Sequence, residues 1–322
     1  MLRELVRYWR DDYAWERSEE RINALPQFVV DVDGRAVHFV WQQARGFPVL
    51  LLHGWPDSFH RFHAVLPMFP ERFDVVVPSL PGFAFTRWMP GREQPMRQTA
   101  TLMWRLMTEV LGYARFGVAG GDTGSAIAQL LAIDHPESVV GIHLTDIGWH
   151  AANVETSTLS RRERAYIKAV QQAFKADGAY AMVQTTRPRS LAVALADSPV
   201  GLASWIVDRF HAWSETLPDR DDLLANIMLY WLTQTIGSSM AQYHAEATSP
   251  SLTPRDRVER PVGLALFPAD IGGVPPRSFA ERTLAVQRWT EMPRGGHFAA
   301  LEQPALYARD AIEFFDSLGA SS

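Results

Sequence analysis

Residues 116–126 read FGVAGGDTGSA, and this stretch decides the fold. The apolar residues before the glycines indicate a buried strand, and Gly120 and Gly121 indicate a tight turn. A helical pattern begins after Gly124. A strand, a strained glycine turn and a helix together form a nucleophile elbow, with Asp122 where serine is the more common residue. The elbow presents its side chain at the carboxyl edge of a sheet, beside backbone N–H groups at the helix N-terminus.

Two other interpretations of the same stretch are open at this point. One is a glycine-rich phosphate loop, although the full G-x-G-x-x-G fingerprint is absent. The other is an ordinary helix in which Asp122 serves only as the N-cap. The elbow interpretation therefore depends on whether the rest of the chain supplies a base, an acid and oxyanion donors.

The composition is that of a globular protein with a large core. The chain has 322 residues, of which 47% are hydrophobic and 21% charged, and its net charge is -5. It has no long basic run, which argues against nucleic acid or an anionic membrane as a partner. The absence of cysteine excludes disulfides, a thiol nucleophile and thiolate metal ligands. Because the sequence shows no secretory signal and no run of about 18 apolar residues, we expect a soluble cytoplasmic protein without a membrane span.

Apolar runs that alternate with helical patterns predict an α/β fold. A hairpin is expected around the turn signal at 31–34, and buried strands are expected at 48–52, 73–77, 116–119, 139–144, 261–267 and 284–290. Continuous apolar strands separated by helices indicate a mostly parallel sheet covered on both faces. Residues 153–247 are helical in pattern, which predicts an inserted helical cap. The cap would divide the core into 1–152, which includes an N-terminal helical segment, and 248–322.

The stretch LLHGWP at 51–56 ends an earlier buried strand and complements the elbow. The backbone N–H groups of Trp55 and Thr123 can together form an oxyanion hole, which needs two donors aimed at one oxygen. We expect the peptide bond before Pro56 to be cis, as in many tight turns. His53 is interpreted as a structural residue.

A base and an acid follow at the later strand ends. His297, in RGGHF, lies between the last predicted strand and the last helix, where it can reach over the elbow. A histidine base needs an orienting acid, and Asp270 follows the preceding strand. The order Asp122, Asp270, His297 is the nucleophile–acid–base order of the α/β-hydrolase fold. Asp146 is the alternative acid, because it follows the strand at 139–144, and we favour Asp270.

The other histidines do not complete a metal site in the sequence. His60 and His63 are spaced to pair on one helix face, but no third ligand follows them in the pattern. With no cysteine and no complete ligand set, we expect neither a metal nor an organic cofactor.

Three motifs in combination resemble the microsomal-type epoxide hydrolases: HGWP at 53–56, GGD at 120–122 and GGHFAALE at 295–302. Further similarity, to the family's N-terminal segment and cap, lies at 8–28, 186–188 and 197–202. The resemblance spans nearly the whole chain. The family's N-terminal segment usually begins some tens of residues earlier, and we expect it to be truncated here. Thr123 is a second departure, because a large apolar side chain is common at that position, and it implies a smaller or more polar pocket floor.

The resemblance implies a role for each matched residue. Asp122 is the nucleophile, and His297 is the base that Asp270 orients. Two cap tyrosines, Tyr180 and Tyr243, hold the epoxide oxygen. The implied reaction converts a small hydrophobic epoxide and water to a vicinal diol through an alkyl ester on Asp122, without a cofactor.

Several alternatives stay open from the sequence alone. Tyr166 and Tyr230 are lesser candidates for the tyrosine roles. A haloalkane or haloacid dehalogenase would use the same Asp–His–Asp set and differ in what holds the leaving group, and a non-catalytic binding protein of this fold is a further alternative. The substrate, its regio- and enantiopreference and the oligomeric state are also open, although exposed cap surfaces are compatible with a homodimer.

Overall fold

The architecture comes from a computed structural model, which describes residues 1–87, 95–148, 154 and 156–320. Within those ranges eight strands form one sheet. They are β1 Gln27–Val32, β2 Arg35–Gln42, β3 Phe47–Leu52, β4 Phe73–Pro78, β5 Phe116–Gly120, β6 Val139–Leu144, β7 Val258–Leu266 and β8 Leu284–Glu291. The order across the sheet is β1-β2-β4-β3-β5-β6-β7-β8. The hairpin β1–β2 adds to β4 antiparallel, and every neighbouring pair from β4 to β8 is parallel, which confirms the predicted α/β class with a mostly parallel sheet.

Helices precede the sheet and connect its strands. The first four are α1 Leu2–Asp11, α2 Trp15–Asn23, α3 Met96–Arg105 and α4 Thr123–Asp134. The interval between β6 and β7 contains α5 Arg161–Asp177, α6 Ala179–Thr186, α7 Pro188–Asp197, α8 Pro199–Trp213, α9 Arg220–Thr233 and α10 Ile236–Thr248. The last part of the chain contains α11 Arg277–Ala280, α12 Ala299–Glu302 and α13 Pro304–Phe315.

The helices α5 to α10 are called the cap below. Its first helix begins with a capping box, in which Ser160 and Glu163 satisfy each other's backbone N–H groups. Proline occupies the first position of both α7 and α8, where a backbone donor is not needed. The described residues of this interval contain no strand, in line with the helical pattern of the sequence. The expected cap boundary at 152 and 153 lies outside the described residues.

Each face of the sheet packs into its own apolar layer, because successive strand side chains point to opposite faces. Leu50 and Leu52 of β3 lie in the layer that contains α3 and α4 residues, whereas Val49 and Leu51 lie in the layer that contains α13 residues. In the part of the chain that the structure describes, no helix combines the length and the apolarity that a membrane crossing requires.

Candidate active site

Asp122 lies on the turn between β5 and α4 in a backbone conformation that residues with a side chain rarely adopt, with φ 57° and ψ -128°. Such a conformation costs about 1–3 kcal/mol and persists only where the surroundings enforce it. Gly124 lets the turn approach β3 closely, because a Cβ there would lie 2.2 Å from the carbonyl oxygen of Leu52. The turn therefore holds the Asp122 side chain at the carboxyl end of a central strand.

Three donors converge on the carboxylate of Asp122. The Trp55 N–H donates to Oδ1 over 2.9 Å, the Thr123 hydroxyl donates to Oδ1 over 3.0 Å, and the Thr123 backbone N–H also donates to the carboxylate. Gly54 makes this approach possible, because a Cβ at that position would lie 2.3 Å from Oδ1. The peptide bond between Trp55 and Pro56 is cis, as the sequence analysis expects. The two amides that the sequence analysis names are thus in contact with the carboxylate.

His297 and Asp270 reach Asp122 from the loops that follow β8 and β7. The ring Nδ1 of His297 lies 2.7 Å from Oδ1 of Asp270, and its Nε2 lies 3.4 Å from Oδ2 of Asp122. A parallel bridge between Ala269 and Gly296 joins the two loops. The side chains of His297 and Asp122 are 5% and 8% exposed, so water screens their charges little. The His297 ring therefore lies between the carboxylates of Asp270 and Asp122 and contacts both.

These groups determine one another's charge. Burial alone lowers the pKa of His297, but the charge of Asp270, the hydrogen bond to Asp270 and the nearby charge of Asp122 outweigh it and raise the pKa to about 10. Burial alone raises the pKa of Asp122, but the imidazolium of His297 and two backbone amides lower it to about 2. At neutral pH the resting site therefore holds an ionised Asp122 and a protonated His297.

Asp146, the alternative acid, contacts the elbow. Its Oδ2 accepts a hydrogen bond from the Asp122 N–H at 2.7 Å, and its Oδ1 accepts one from the Gly148 N–H at 2.8 Å. Burial and then repulsion from the Asp270 carboxylate raise the pKa of Asp146 to about 6. The carboxylate hydrogen-bonded to the His297 ring is Asp270, the acid that the sequence analysis favours.

Tyr180 on α6 and Tyr243 on α10 reach the site from the cap. Their rings meet edge-on with centroids 6.1 Å apart, and both residues line a cavity that reaches Asp122. Burial and then the charge of Asp122 raise the pKa of Tyr180, while burial, Tyr180 and the charge of Asp122 raise that of Tyr243. Both hydroxyls are therefore protonated at neutral pH, and they are available as hydrogen-bond donors.

Aromatic packing holds the two tyrosines. The Tyr180 ring stacks on Trp55 with centroids 5.5 Å apart, and the Tyr243 ring meets the same indole edge-on at 5.8 Å. The Arg209 guanidinium lies 4.9 Å from the Tyr180 ring centroid, and the Asp177 carboxylate pairs with it. Because Trp55 also donates its N–H to the nucleophile, one residue connects the cap rings to the carboxylate.

Two cavities meet at Asp122. The larger, with a volume of about 1300 Å³ that is partly open to solvent, has a largely apolar lining that includes Tyr180 and Tyr243. The smaller, of about 470 Å³, is lined by His297 and Asp270. An electrophile and a water molecule can therefore approach the same carboxylate from different cavities.

The lesser tyrosine candidates have other surroundings. The Tyr230 hydroxyl donates to the carbonyl oxygen of Asp57 at 2.7 Å. Tyr166 lines the smaller cavity, and its ring packs against Phe279 with centroids 5.5 Å apart. Neither residue is part of the lining that Tyr180 and Tyr243 share with Asp122.

Two residues without a role in the sequence analysis fix the His297 loop. Arg61 is fully buried and donates from its guanidinium to the His297 carbonyl oxygen at 3.0 Å. Glu302 accepts hydrogen bonds from the N–H groups on either side of His297, both at 3.1 Å. A sequence signal for Glu302 exists, because it closes the stretch GGHFAALE, whereas a buried arginine has no local pattern.

Comparison with known proteins adds a family to this geometry. Residues 1–62 match the family model described as epoxide hydrolase N terminus, and residues 48–236 match the model described as alpha/beta hydrolase fold. Epoxide hydrolase 1 of Oryctolagus cuniculus is 30% identical to this chain. The alignment covers 97% of this chain and 79% of the rabbit protein. A Stigmatella aurantiaca protein, named provisionally as an epoxide hydrolase, is 36% identical over 99% of this chain and 76% of its own length. The solved structure of Aspergillus niger epoxide hydrolase is 29% identical, with a TM-score of 0.88 over 98% of this chain and 85% of that one.

The sheet order and these matches define an α/β-hydrolase-fold protein. Within that class the chain belongs to the epoxide hydrolase family of the microsomal type. The resemblance that three sequence motifs indicate is thereby confirmed.

Proposed function

We propose that this epoxide hydrolase opens its substrate through a covalent alkyl ester on Asp122, and that water activated by His297 and Asp270 hydrolyses the ester to release a vicinal diol. The observation that carries the proposal is the larger cavity, whose lining includes the ionised Asp122 and the neutral hydroxyls of Tyr180 and Tyr243. Opening of an epoxide requires a nucleophile for carbon and hydrogen-bond donors for oxygen, and both are available there.

In the first half-reaction Asp122 needs no base. Its pKa of about 2 keeps it ionised at neutral pH, so it can attack an sp³ carbon directly. The carbon–oxygen bond of the epoxide breaks as the ester bond forms, and hydrogen bonds from Tyr180 and Tyr243 stabilise the charge on the departing oxygen. One tyrosine then transfers its proton to this oxygen.

Esterification changes the charge of the site. The charge of Asp122, which helps to raise the pKa of His297, is lost when the carboxylate becomes an ester. The pKa of His297 then falls, and its proton returns through solvent to the tyrosine. The neutral ring can now accept a proton from water in the smaller cavity.

The second half-reaction occurs at the carboxyl carbon of Asp122. Hydroxide attack there places negative charge on an oxygen beside the backbone amides of Trp55 and Thr123, which already donate to this carboxylate. Donors that are in place before the reaction stabilise the charge without reorganisation. Collapse of the intermediate breaks the bond between the carboxyl carbon and the alkyl oxygen. The alkyl oxygen takes up a proton as the carboxyl group loses one, so the diol leaves, the carboxylate is restored and His297 stays protonated as in the resting site.

A small hydrophobic epoxide fits the larger cavity. Apolar side chains of Met96, Ala126 and Leu252 are part of its lining. Thr123 departs from the family pattern, in which a large apolar residue is common. Its hydroxyl donates a hydrogen bond to Asp122 and so points toward the nucleophile. The surface left for the substrate is therefore mainly apolar, apart from the reacting groups.

A single turnover in H₂¹⁸O, with enzyme in molar excess, tests the covalent mechanism. We expect peptide mass spectrometry to find the label in the Asp122 carboxylate, because water attacks the ester carbonyl. The diol of this first turnover should carry no label. Labelled first-turnover diol would show direct attack of water on the epoxide and would contradict the proposal.

The variant His297→Gln separates the two half-reactions. Alkylation does not need the base, so this variant should accumulate protein with an added mass equal to that of the substrate. Asp122→Ala is the control, because it should never carry the adduct. Rapid diol formation by His297→Gln without a detectable adduct would argue against His297 as the base.

A dehalogenase reaction is tested in parallel, because it would use the same three groups. One observation favours a halide: the indole N–H of Trp55 is buried and has no hydrogen-bond acceptor among the described residues. The two tyrosines that line the larger cavity with Asp122 favour an epoxide oxygen. Assays with epoxides and haloalkanes should yield diol without halide release, and the opposite result would overturn the epoxide assignment.

A further inference from the structure

His60, His63 and Asp222 form a cluster at the junction of the cap and the core. His60 lies in the 3-10 turn Phe59–Phe62 and His63 follows it, whereas Asp222 lies in the first turn of α9. One possible ligand atom of each lies within 4.8 Å of the other two. No third ligand follows the two histidines in the sequence pattern, but the fold brings Asp222 to them from far along the chain.

The spacing in this cluster is longer than a direct hydrogen bond and is compatible with a bound cation. Nε2 of His60 lies 3.5 Å from Oδ1 of Asp222, and Nε2 of His63 lies 3.4 Å from Oδ2. A charge-assisted hydrogen bond between such groups is about 2.7–2.9 Å long. Two ligands of one tetrahedral zinc ion, with bonds of about 2.0–2.1 Å, lie about 3.3–3.5 Å apart.

Both histidine rings have a nitrogen atom that can bind an ion. Nδ1 of His63 lies 2.9 Å from the His60 carbonyl oxygen, which can only accept, so Nδ1 carries the proton. Whenever the His63 ring is neutral, its Nε2 presents a lone pair. His60 is 2% exposed, and neither of its ring nitrogens has a hydrogen-bond partner among the described residues. A buried polar group without a partner is costly, and coordination to a metal would satisfy it.

We propose that His60, His63 and Asp222 bind one Zn²⁺ ion through two Nε2 atoms and a carboxylate oxygen, with water as the fourth ligand. Imidazole nitrogen with one carboxylate oxygen is a ligand set that zinc accepts. The side chains of His63 and Asp222 are 23% and 18% exposed, which gives the ion and the water a path from solvent. The two imidazoles are nearly parallel with centroids 4.3 Å apart, so the more exposed His63 ring must rotate to direct its Nε2 at the ion.

Arg21 sets the affinity of this site. Its guanidinium lies 3.2 Å from Oδ1 of Asp222, and its side chain is 48% exposed. The guanidinium competes with the zinc ion for the Asp222 carboxylate, and its positive charge repels the ion. Because the Arg21 side chain is exposed, the guanidinium can move away toward solvent. Removal of the Arg21 charge should therefore strengthen metal binding.

An ion at this position would fasten the cap to the core. Asp222, Asn226 and Tyr230 are spaced four residues apart on α9, so they lie along one face of the helix. Asn226 and Tyr230 already donate to carbonyl oxygens of the loop after β3, at 2.8 Å and 2.7 Å. The same loop carries Trp55, so the ion would stabilise the cap and an oxyanion donor together.

Zinc titration of the tag-free full chain tests the proposal. Protein stripped by dialysis against a chelator is titrated with ZnCl₂ in competition with a chromophoric chelator, and native mass spectrometry counts the ions. We expect one ion per chain. Zinc at 100 times its Kd should also raise the Tm by roughly 3–6 °C, because it binds the folded state. Asp222→Asn and His63→Gln should each weaken binding by at least about 100-fold, and Arg21→Gln should tighten it.

His135→Gln is the matched control for His63→Gln. His135 is 18% exposed and lies 3.6 Å from Glu137, but it belongs to no three-residue cluster of candidate ligands in the described chain. Substoichiometric zinc in the wild type, or equal zinc affinity of the two variants, would reduce the cluster to an ion pair and overturn the proposal. If Asp222→Asn does not fold, the Arg21→Gln variant provides the test. Zinc affinity in Arg21→Gln that is unchanged or weaker than in the wild type would contradict the proposal.

Discussion

The sheet side and the cap side of the active site are held by different kinds of contact. On the sheet side, backbone N–H groups fix the carboxylates of Asp122 and Asp146. On the cap side, the rings of Tyr180 and Tyr243 pack against Trp55. Backbone hydrogen bonds are short and directional, whereas ring contacts tolerate small displacements. The sheet side is therefore suited to fix the reacting atoms, and the cap side is suited to adapt to the substrate.

Removal of the nucleophile should have the largest effect on activity. Asp122→Ala deletes the group on which the ester forms, so we expect diol formation to fall by about 10⁴–10⁶-fold. The variant should still fold, because Asp122 lines a cavity and belongs to neither apolar layer of the sheet. Initial rates and thermal unfolding measure both effects, and activity within tenfold of wild type would exclude Asp122 as the nucleophile.

Loss of both cap hydroxyls should rank second. The double variant Tyr180→Phe/Tyr243→Phe should lower kcat by about 10²–10³-fold, because the epoxide oxygen loses its donors. KM should change little, because the phenylalanine rings still pack against Trp55. Stopped-flow fluorescence of the alkylation step measures the effect.

Tyr307→Phe is the matched control for the tyrosine variants. Tyr307 is a buried residue of α13 whose hydroxyl has no hydrogen-bond partner among the described residues, so its removal should leave kcat unchanged. Alkylation at the wild-type rate in the double variant would remove the cap tyrosines from the mechanism.

The two half-reactions should differ in their response to pH. Asp122 is ionised far above its pKa of about 2, so the alkylation rate should be nearly constant across the neutral range. Ester hydrolysis needs a neutral His297, whose pKa drops below its resting value of about 10 once Asp122 is esterified. Its rate should rise with pH, up to about tenfold per unit, until that pKa is passed. Single-turnover kinetics over a pH series resolve both steps, and a pH-independent hydrolysis rate would contradict the base assignment.

Asp146 should have a smaller effect on rate and a measurable effect on stability. Asp146→Ala leaves the N–H groups of Asp122 and Gly148 without their acceptor, which costs about 1–3 kcal/mol per buried group. We expect kcat to fall about tenfold through displacement of Asp122. Asp146→Asn keeps one acceptor oxygen and should lose less in both Tm and kcat. Equal losses in the two variants would show that charge, and not hydrogen-bond acceptance, is the contribution of Asp146.

A last prediction concerns the dependence of stability on pH and not the rate. The folded pKa of His297, about 10, exceeds its ordinary value of 6.5, so its contribution is complete below pH 6.5 and is lost as the pH rises through 10. The free energy of unfolding should therefore fall across that interval in the wild type, and His297→Gln should show a shallower slope. Denaturant titrations at a series of pH values measure this, and parallel slopes would count against the raised pKa.

The sheet side could be predicted from the sequence residue by residue. Each of Asp122, Asp270 and His297 follows a strand of the sheet. Because the carboxyl ends of parallel strands lie at the same edge, residues that follow these strands are expected to lie close together. The glycines beside Asp122 add a local reason for the turn. The order of the three residues then assigns their expected roles.

The cap side and the cluster at its base could not be predicted in the same way. Helical periodicity does not reveal which face of α6 or α10 lines a cavity, so Tyr180 and Tyr243 were expected only from the family resemblance. Arg61 has no local signature, because its burial depends on partners far along the chain. Asp222 meets His60 only through the packing of α9 against the loop after β3, which no spacing rule encodes.

The two cavities at Asp122 also determine the stereochemistry of the product. In the proposed mechanism, water that arrives beside His297 attacks the carboxyl carbon of Asp122, so the substrate carbon undergoes a single displacement. A single displacement at an sp³ carbon inverts its configuration. A symmetric cyclic epoxide should therefore give only the trans diol, and the handedness of that diol should record which ring carbon Asp122 attacked.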